Sequence, residues 1–237
     1  MIMSERLLRI LVTSFMQLLE AGLKMTMPIT LGAFALSVIL GLLLAVVQVA
    51  NIKGLKQFAS FYIWIFRGTP VIVQLFIIFF GLPYVGIVIE AVPAAIIGFG
   101  LNLAAYNAES IRAAILAVPK GQTEAAYLVG LTYPQLMRRI VIPQAARVAF
   151  PSLWNNLISL VKDTSLAASI TVVELFTRAQ QVAARTYEPL AMYLEAAFIY
   201  LIFCTVLTWI QHIVERKMVW QSHTDNKNKR RGLLCLK

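Results

Sequence analysis

Residues 28–50 carry no charged side chain, and Pro28 is suited to a first helical turn. A stretch of about 20 apolar residues is what a helix needs to cross hydrocarbon. This run therefore reads as a transmembrane helix, and it constrains the fold more than any other feature. Three further apolar stretches, at 94–118, 151–173 and 190–213, have similar length. A fourth, 58–82, is long enough to span but is broken by Arg67-Gly68-Thr69-Pro70, a charge with two helix breakers. Such an interruption inside a span does not face lipid.

Composition agrees: 59% of the 237 residues are apolar, 14% are charged, and the mean hydropathy is +0.76. Soluble domains average about 45–50% apolar and about 25% charged. The fold class expected is all-α, a polytopic protein of the cell membrane with five transmembrane helices. A net charge of +10 also fits a nucleic-acid binder, so placement has to decide. The basic residues sit at span ends and in the C-terminal tail, which argues for membrane topology and against a nucleic-acid partner. Cys204 and Cys235 offer neither metal-ligand spacing nor a disulfide framework; Cys204 reads as a core residue.

Residues 1–25 hold leucines near helical spacing, interrupted by Arg9 and Glu20, with no small-residue cleavage site. They read as an interfacial amphipathic helix, the competing reading being an uncleaved first span. Residues 26–214 form the membrane body, with a polar island at 119–149 and a polar loop at 174–189. The tail, 215–237, is basic and expected to lack order. With five spans, fourteen Lys and Arg flank one side and five the other, while Arg67 and Lys162 lie within spans. The positive-inside rule puts the island and C-terminus in the cytoplasm and the N-terminus outside.

The island is expected to fold as two short helices. Pro119-Lys120-Gly121 ends the third span, a helix from about Thr123 closes at Gly130, and Thr132-Tyr133-Pro134-Gln135 has the form of a capped helix start. Pro143 should then bend the chain toward the fourth span. A small face at Ala125 and Ala126 would let another protein approach closely. On residues alone this is a docking knob or an ordinary cytoplasmic loop.

The spacing decides between them. Glu124, Ala125, Ala126, Gly130, Ile140, Ile142 and Pro143 resemble the signature loop of ABC importer permeases, with Ile142 where leucine is usual. The resemblance extends over roughly residues 20–215. Arg67-Gly68-Thr69-Pro70, Ala105-Tyr106-Asn107-Ala108-Glu109 and Lys162-Asp163-Thr164-Ser165-Leu166 are similar to the polar amino-acid branch of that family. It implies docking on a dimer of ATP-binding-cassette ATPases through Glu124, Ala125, Ala126, Gly130, Ile140 and Pro143. It also implies pairing with a second permease copy or a sister chain, and substrate from an extracytoplasmic binding protein. Residues 159–168 and the 185–197 region look most similar to cystine permeases, so L-cystine is the substrate implied. The alternatives are another polar amino acid (glutamine, basic or opine-like) and, from a different class, a secondary transporter.

Intramembrane charges are expensive. Arg67 or Lys162 would either pair structurally with Asp163 or Glu109, or bind substrate. For an amino acid, Arg67 could grip the carboxylate and Asp163 accept from the ammonium. Thr69, Asn102, Lys162 and Ser165 complete the candidate set. A secondary transporter should show internal repeats, and none is visible between 26–118 and 150–214. No catalytic constellation or phosphate-binding glycine loop is present, so the chain is not read as an enzyme. It is expected to bind no cofactor itself, with ATP and Mg on the ATPase partner.

Overall fold

The computed structural model describes the backbone of residues 2–234 and the side-chain surroundings of residues 5–217. Among the described residues every regular element is helical. Helix α1 (Ile2–Ala21) runs into α2 (Met27–Ala50) through a π-helical turn, Gly22–Thr26. Glu5–Ala50 is one helix of 46 residues, roughly 70 Å long at about 1.5 Å per residue. Residues 5–25, expected as an interfacial amphipathic helix, are the first half of this continuous helix. Its inner face is packed on protein, with Ser14, Leu18 and Ala21 buried, while Leu8, Val12 and Met16 remain exposed.

The second apolar stretch is two helices. Helix α3 (Leu55–Gly68) stops at the Thr69-Pro70 break, and α4 (Val71–Phe76) continues through a π-turn, Ile77–Gly81, and a 3₁₀ turn, Leu82–Val85. The two halves meet at 106°. Pro70 has no N–H to continue the ladder and disfavours helical backbone at Thr69, which is extended at φ −121°, ψ 145°. Helix α5 (Ala91–Leu116) is long and apolar enough to cross a membrane.

Helices α6 (Lys120–Leu128) and α7 (Tyr133–Leu136) make the polar hairpin. A π-turn, Met137–Val141, leads from α7 into α8 (Ile142–Asp163), and a 3₁₀ segment, Thr164–Ile170, extends it. Pro143 does not bend the chain away, contrary to expectation, because Tyr133–Ile170 is one unbroken helical path. The 174–189 segment is also not a loop. Glu174 caps α9 (Leu175–Thr186) by accepting from the Thr177 N–H at 2.8 Å. Leu175, Ala179, Val182 and Ala183 face the core at helical spacing. Helix α10 (Pro189–Leu234) includes residues 215–234 of the tail that was expected to lack order, the last three lying outside the described residues. Between residues 190 and 231 there is neither proline nor glycine to stop it. Among the described residues three helices, or up to five if each bent pair counts as one, are long and apolar enough to span.

The three π-turns share a cause. Each ends two residues before a proline, at Pro28, Pro83 and Pro143. A proline ring clashes with the carbonyl four residues back, here that of Lys24, Phe79 or Arg139. Widening the preceding turn relieves the crowding. In each case the N–H just before the proline (Met27, Leu82, Ile142) bonds five residues back, to Gly22, Ile77 or Met137. The chain stays helical where a simple reading of proline stops it.

Close packing of α2 on α5 forms the centre. Gly41 lies so near α5 that a Cβ there would sit 2.9 Å from Asn107 Cβ and 3.1 Å from the Ala108 nitrogen. Small residues at such crossings let backbones approach. Across the same contact, Asn107 Nδ2 donates to Ser37 Oγ at 2.9 Å and Asn156 Nδ2 donates to Asn107 Oδ1 at 2.8 Å. This relay ties α2, α5 and α8 together with buried amide groups satisfied. Leu31, Ile39 and Leu43, with Leu194, Phe198 and Leu201, remain exposed, as surfaces facing lipid or another protein would.

Candidate functional site

A helix break and a change of helix type meet in the core. Leu75 of α4 packs in one cluster with Leu160, Ala167 and Ile170 from the end of α8 and the 3₁₀ segment after it. The break is braced by Gln74, which is buried and donates from Nε2 to the carbonyls of Phe66 (3.1 Å) and Thr69 (3.2 Å) and to Thr69 Oγ1 (2.8 Å). Asn102 of α5 completes the brace, donating to Phe66 O and Gln74 Oε1, both at 3.1 Å. Thr69 and Asn102 are thus linked through Gln74, and their polar groups satisfy the free backbone of the break.

The change from α-helix to 3₁₀-helix carries Lys162-Asp163-Thr164-Ser165. Asp163 ends α8 and Thr164 opens the 3₁₀ segment. The hydroxyls of Thr164 and Ser165 donate to the carbonyls of Val161 and Lys162, each at 2.7 Å. Lys162 and Ser165 line an open cavity of about 530 Å³ with Phe176, Tyr193, Tyr200 and Cys204. The Asp163 side chain is exposed. Asp163 and Lys162 thus place a carboxylate acceptor and a cationic donor side by side at the end of α8, both exposed.

Arg67 stands elsewhere. Its guanidinium lies 5.5 Å from the Tyr106 ring centroid, and it lines a groove with Glu109, Ser110 and Ser152. The expected alternative of an ion pair joining Arg67 or Lys162 to Asp163 or Glu109 is corrected. Among the described residues none of those combinations forms, and Glu109 instead pairs with Arg112 at 2.8 Å on its own helix. Spacing of three residues on one helix brings that pair together without any tertiary help.

The hairpin at the other end has a core of its own. Ala126, Leu136 and Val141 are buried against Val118, Leu131 and Ile140. Ala126 consequently faces inward and does not join Ala125 on an open face, which corrects the expectation for that residue. Gly130 adopts φ +79°, a backbone that favours glycine. The Thr132 N–H donates to Gln135 Oε1 at 2.9 Å, so the predicted cap is formed. Glu124 and Ala125 are exposed, as are Tyr127, Leu128 and Val129, Leu128 to 89%. An apolar tip this exposed marks a contact surface.

Sequence reasoning missed two groups. Glu174 is fully buried and accepts from Tyr200 at 2.7 Å and from Thr26 at 3.3 Å; an acidic residue in a presumed polar loop hid it. Gln74 was not among the candidate site residues, although proximity to Pro70 signals a backbone in need of donors.

Residues 37–220 match the family described as the inner membrane component of binding-protein-dependent transport systems. The chain belongs to that family. It is an ABC transporter permease and not an enzyme, with ATP hydrolysis taking place on the partner ATPase. It is 45% identical over 206 residues to the L-cystine transport system permease protein TcyB of Bacillus subtilis, covering 86% of this chain and 88% of the relative. It is 39% identical over 199 residues to a putative glutamine transport system permease protein, GlnP, of Rickettsia felis, covering 84% and 91%. A crystal structure of an amino acid ABC transporter with histidines superposes with a TM-score of 0.82 at 35% identity, covering 87% of this chain and 96% of that one. The all-helical permease fold read from the sequence is this fold.

Proposed function

We propose that the permease imports L-cystine, delivered by an extracytoplasmic binding protein and driven by a pair of ATPases docked on the α6–α7 hairpin. The observation that supports the substrate class is the α8 terminus. Lys162, Asp163 and Ser165 bring an ammonium, a carboxylate and a hydroxyl to one helix end beside an aromatic-lined cavity of about 530 Å³. An amino acid's zwitterion needs both signs within a few ångströms. Arg67, exposed in its own groove, is placed to meet a second carboxylate along the path, and cystine has two amino-acid ends. Thr69 and Asn102 act in this reading by holding the break that shapes the path.

Each ATPase would grip the hairpin at Glu124, Ala125 and the exposed Tyr127, Leu128 and Val129, with Gly130 setting its turn. Ala126 and Ile140 support that surface from beneath. Pro143 sits in the first turn of α8, so displacement of the hairpin travels along one helical path from Tyr133 to Ile170, through the residues that meet substrate. Alternating access follows if loaded and empty states differ in affinity for the two helix arrangements. ATP and Mg belong to the ATPase, and the chain needs no cofactor. A second copy of this chain completes the pathway, in a multi-pass protein of the cell membrane with its N-terminus outside and C-terminus inside.

Uptake of labelled cystine by the reconstituted complex, in competition with a panel of amino acids, tests the assignment. Cystine should compete best, and a stronger competitor would replace it as substrate. The similarity to a glutamine permease favours the second reading, import of another polar amino acid, which the same panel resolves.

A further inference from the structure

We propose that the groove holding Arg67, Glu109, Ser110 and Ser152 is a second amino-acid site, which substrate reaches after the Lys162–Asp163 end of α8. The inference rests on the importer reading and deepens it. Between residues 151 and 163 of α8 the exposed residues are Ser152, Asn155, Ser159, Lys162 and Asp163, every one of them polar. Spacing of three or four residues along 152, 155, 159 and 162–163 puts them on one face of the helix. At the same spacing α10 exposes Leu194, Phe198 and Leu201, a face that lipid accepts. Hydrocarbon does not accept the α8 stripe, which therefore lines a wet path or lies against protein. From Lys162 the stripe runs roughly 15 Å toward the hairpin, at about 1.5 Å per residue. At Ser152 it enters the Arg67 groove.

The groove, of about 550 Å³, presents both signs of charge. Arg67 stands in the last turn of α3, and among the described residues no carboxylate lies within 4.0 Å of it. Its planar fork is free for an α-carboxylate. Glu109 is held by Arg112, whose Nε donates to Oε1 at 3.2 Å and Nη2 to Oε2 at 2.8 Å. Arg112 comes from the far side, lining a different cavity with Lys56. It fixes the Glu109 carboxylate without filling the groove, and about two of the roughly four acceptor positions of that group stay open to an ammonium. Ser110 Oγ and Ser152 Oγ lie 2.8 Å apart, joining α5 to α8. One hydroxyl donates to the other, and the second hydrogen is left for a ligand. A simple anion would meet Arg67 but be repelled by Glu109, and a simple cation the reverse. A zwitterion uses both, and an amino acid is the ligand that arrives along the stripe.

The test measures binding of labelled L-cystine to the assembled permease–ATPase complex in phosphatidylcholine nanodiscs, in an Asp163→Ala background that disables the first site. That background should keep one saturable site. Adding Glu109→Gln should weaken it about tenfold or more, as loss of a charge-assisted hydrogen bond does, and adding Ser110→Ala with Ser152→Ala about threefold to tenfold. Neither chloride nor the diamide of cystine, which lacks both carboxylates, should displace the label. If the Glu109→Gln complex does not assemble, the serine pair carries the test. No saturable site in the Asp163→Ala background, or unchanged affinity in the added variants, would overturn the second site. Uptake of cystine by the wild-type complex, measured in parallel, would then leave the importer reading intact. Displacement by chloride would make the groove an anion site only and also overturn the proposal. A wild-type complex that imports no cystine would refute the substrate reading itself, and the second site with it.

Discussion

The Tyr200 hydroxyl donates to Glu174 Oε2 at 2.7 Å, joining α10 to the cap of α9 through a carboxylate with no exposed surface. The same oxygen accepts from Thr26 Oγ1 at 3.3 Å in the first π-turn, and Tyr200 also lines the Lys162 cavity. Every partner of this carboxylate is neutral, so its stability depends on the full set of donors. Glu174→Ala should cost about 1–3 kcal/mol for each group left unpartnered. Tyr200→Phe should cost about 1 kcal/mol, and the two effects should not add. Thermal unfolding of the purified complex measures both; additive losses would mean that the two residues act separately.

Asp163→Ala should abolish uptake while the ATPase still co-purifies with the permease. The residue is exposed, so its removal should spare the fold. A charge-assisted hydrogen bond to substrate is worth about 1.5–3 kcal/mol, a loss of tenfold or more in transport. Transport at the wild-type rate would remove Asp163 from the site.

At the hairpin the expected outcome is the reverse. Gly130 has φ +79° and open space where a Cβ would go, so Gly130→Ala should cost only the backbone term, about 1–2 kcal/mol. Gly130→Pro cannot adopt that φ and should abolish docking, as should the charge reversal Glu124→Lys on the exposed face. Co-purification of the ATPase and uptake are the measurements. Coupled transport by either of the last two variants would refute docking at this hairpin.

The long apolar helices were legible in the sequence because hydrocarbon imposes length and apolarity on a helix that crosses it. The hairpin was legible because Gly130, Thr132 and Gln135 carry turn and cap chemistry in their types. Prolines misled. Pro28 and Pro143 read as boundaries, yet a single widened turn ahead of each keeps the helix going, and nothing in composition announces a π-turn. Helix α9 was missed although Leu175, Ala179, Val182 and Ala183 keep helical spacing, because its polar outer face resembles a loop. Partners of charges were the least legible: Glu109 chose Arg112 three residues away over any distant cation.

Gly41 and Gly121 make a matched pair for the packing of the body. A Cβ at Gly41 meets the α5 backbone, with the Ala104 oxygen at 3.2 Å, whereas at Gly121 it meets nothing within 4 Å. Gly41→Ala should force α2 from α5 and strain the Ser37–Asn107–Asn156 relay, lowering the melting point of the complex. Gly121→Ala lies inside α6 and should be neutral or stabilising by up to about 1 kcal/mol. Equal effects in the unfolding curves would mean that the α2–α5 contact has slack.

Pro143 tests whether the π-turn sets the register of the hairpin on α8. With alanine the N–H at 143 returns and the ring no longer crowds the Arg139 carbonyl. The turn Met137–Val141 can then tighten to α-helix, whose hydrogen bonds run four residues back instead of five. Tightening by one residue rotates everything before it by about 100°, so the exposed Tyr127–Val129 tip would face a different direction relative to the Lys162 end. The hairpin's own core of Ala126, Leu136 and Val141 would also lose its alignment, since Val141 lies in the turn itself. Pro143→Ala should therefore leave the spans folded but lower the transport obtained per ATP hydrolysed. That ratio is read from uptake and phosphate release in the same proteoliposomes. Pro151→Ala serves as the control, because Pro151 lies inside α8 with regular α-helix on both sides. An unchanged ratio in the Pro143 variant would mean that the turn is held open by tertiary packing rather than by the proline.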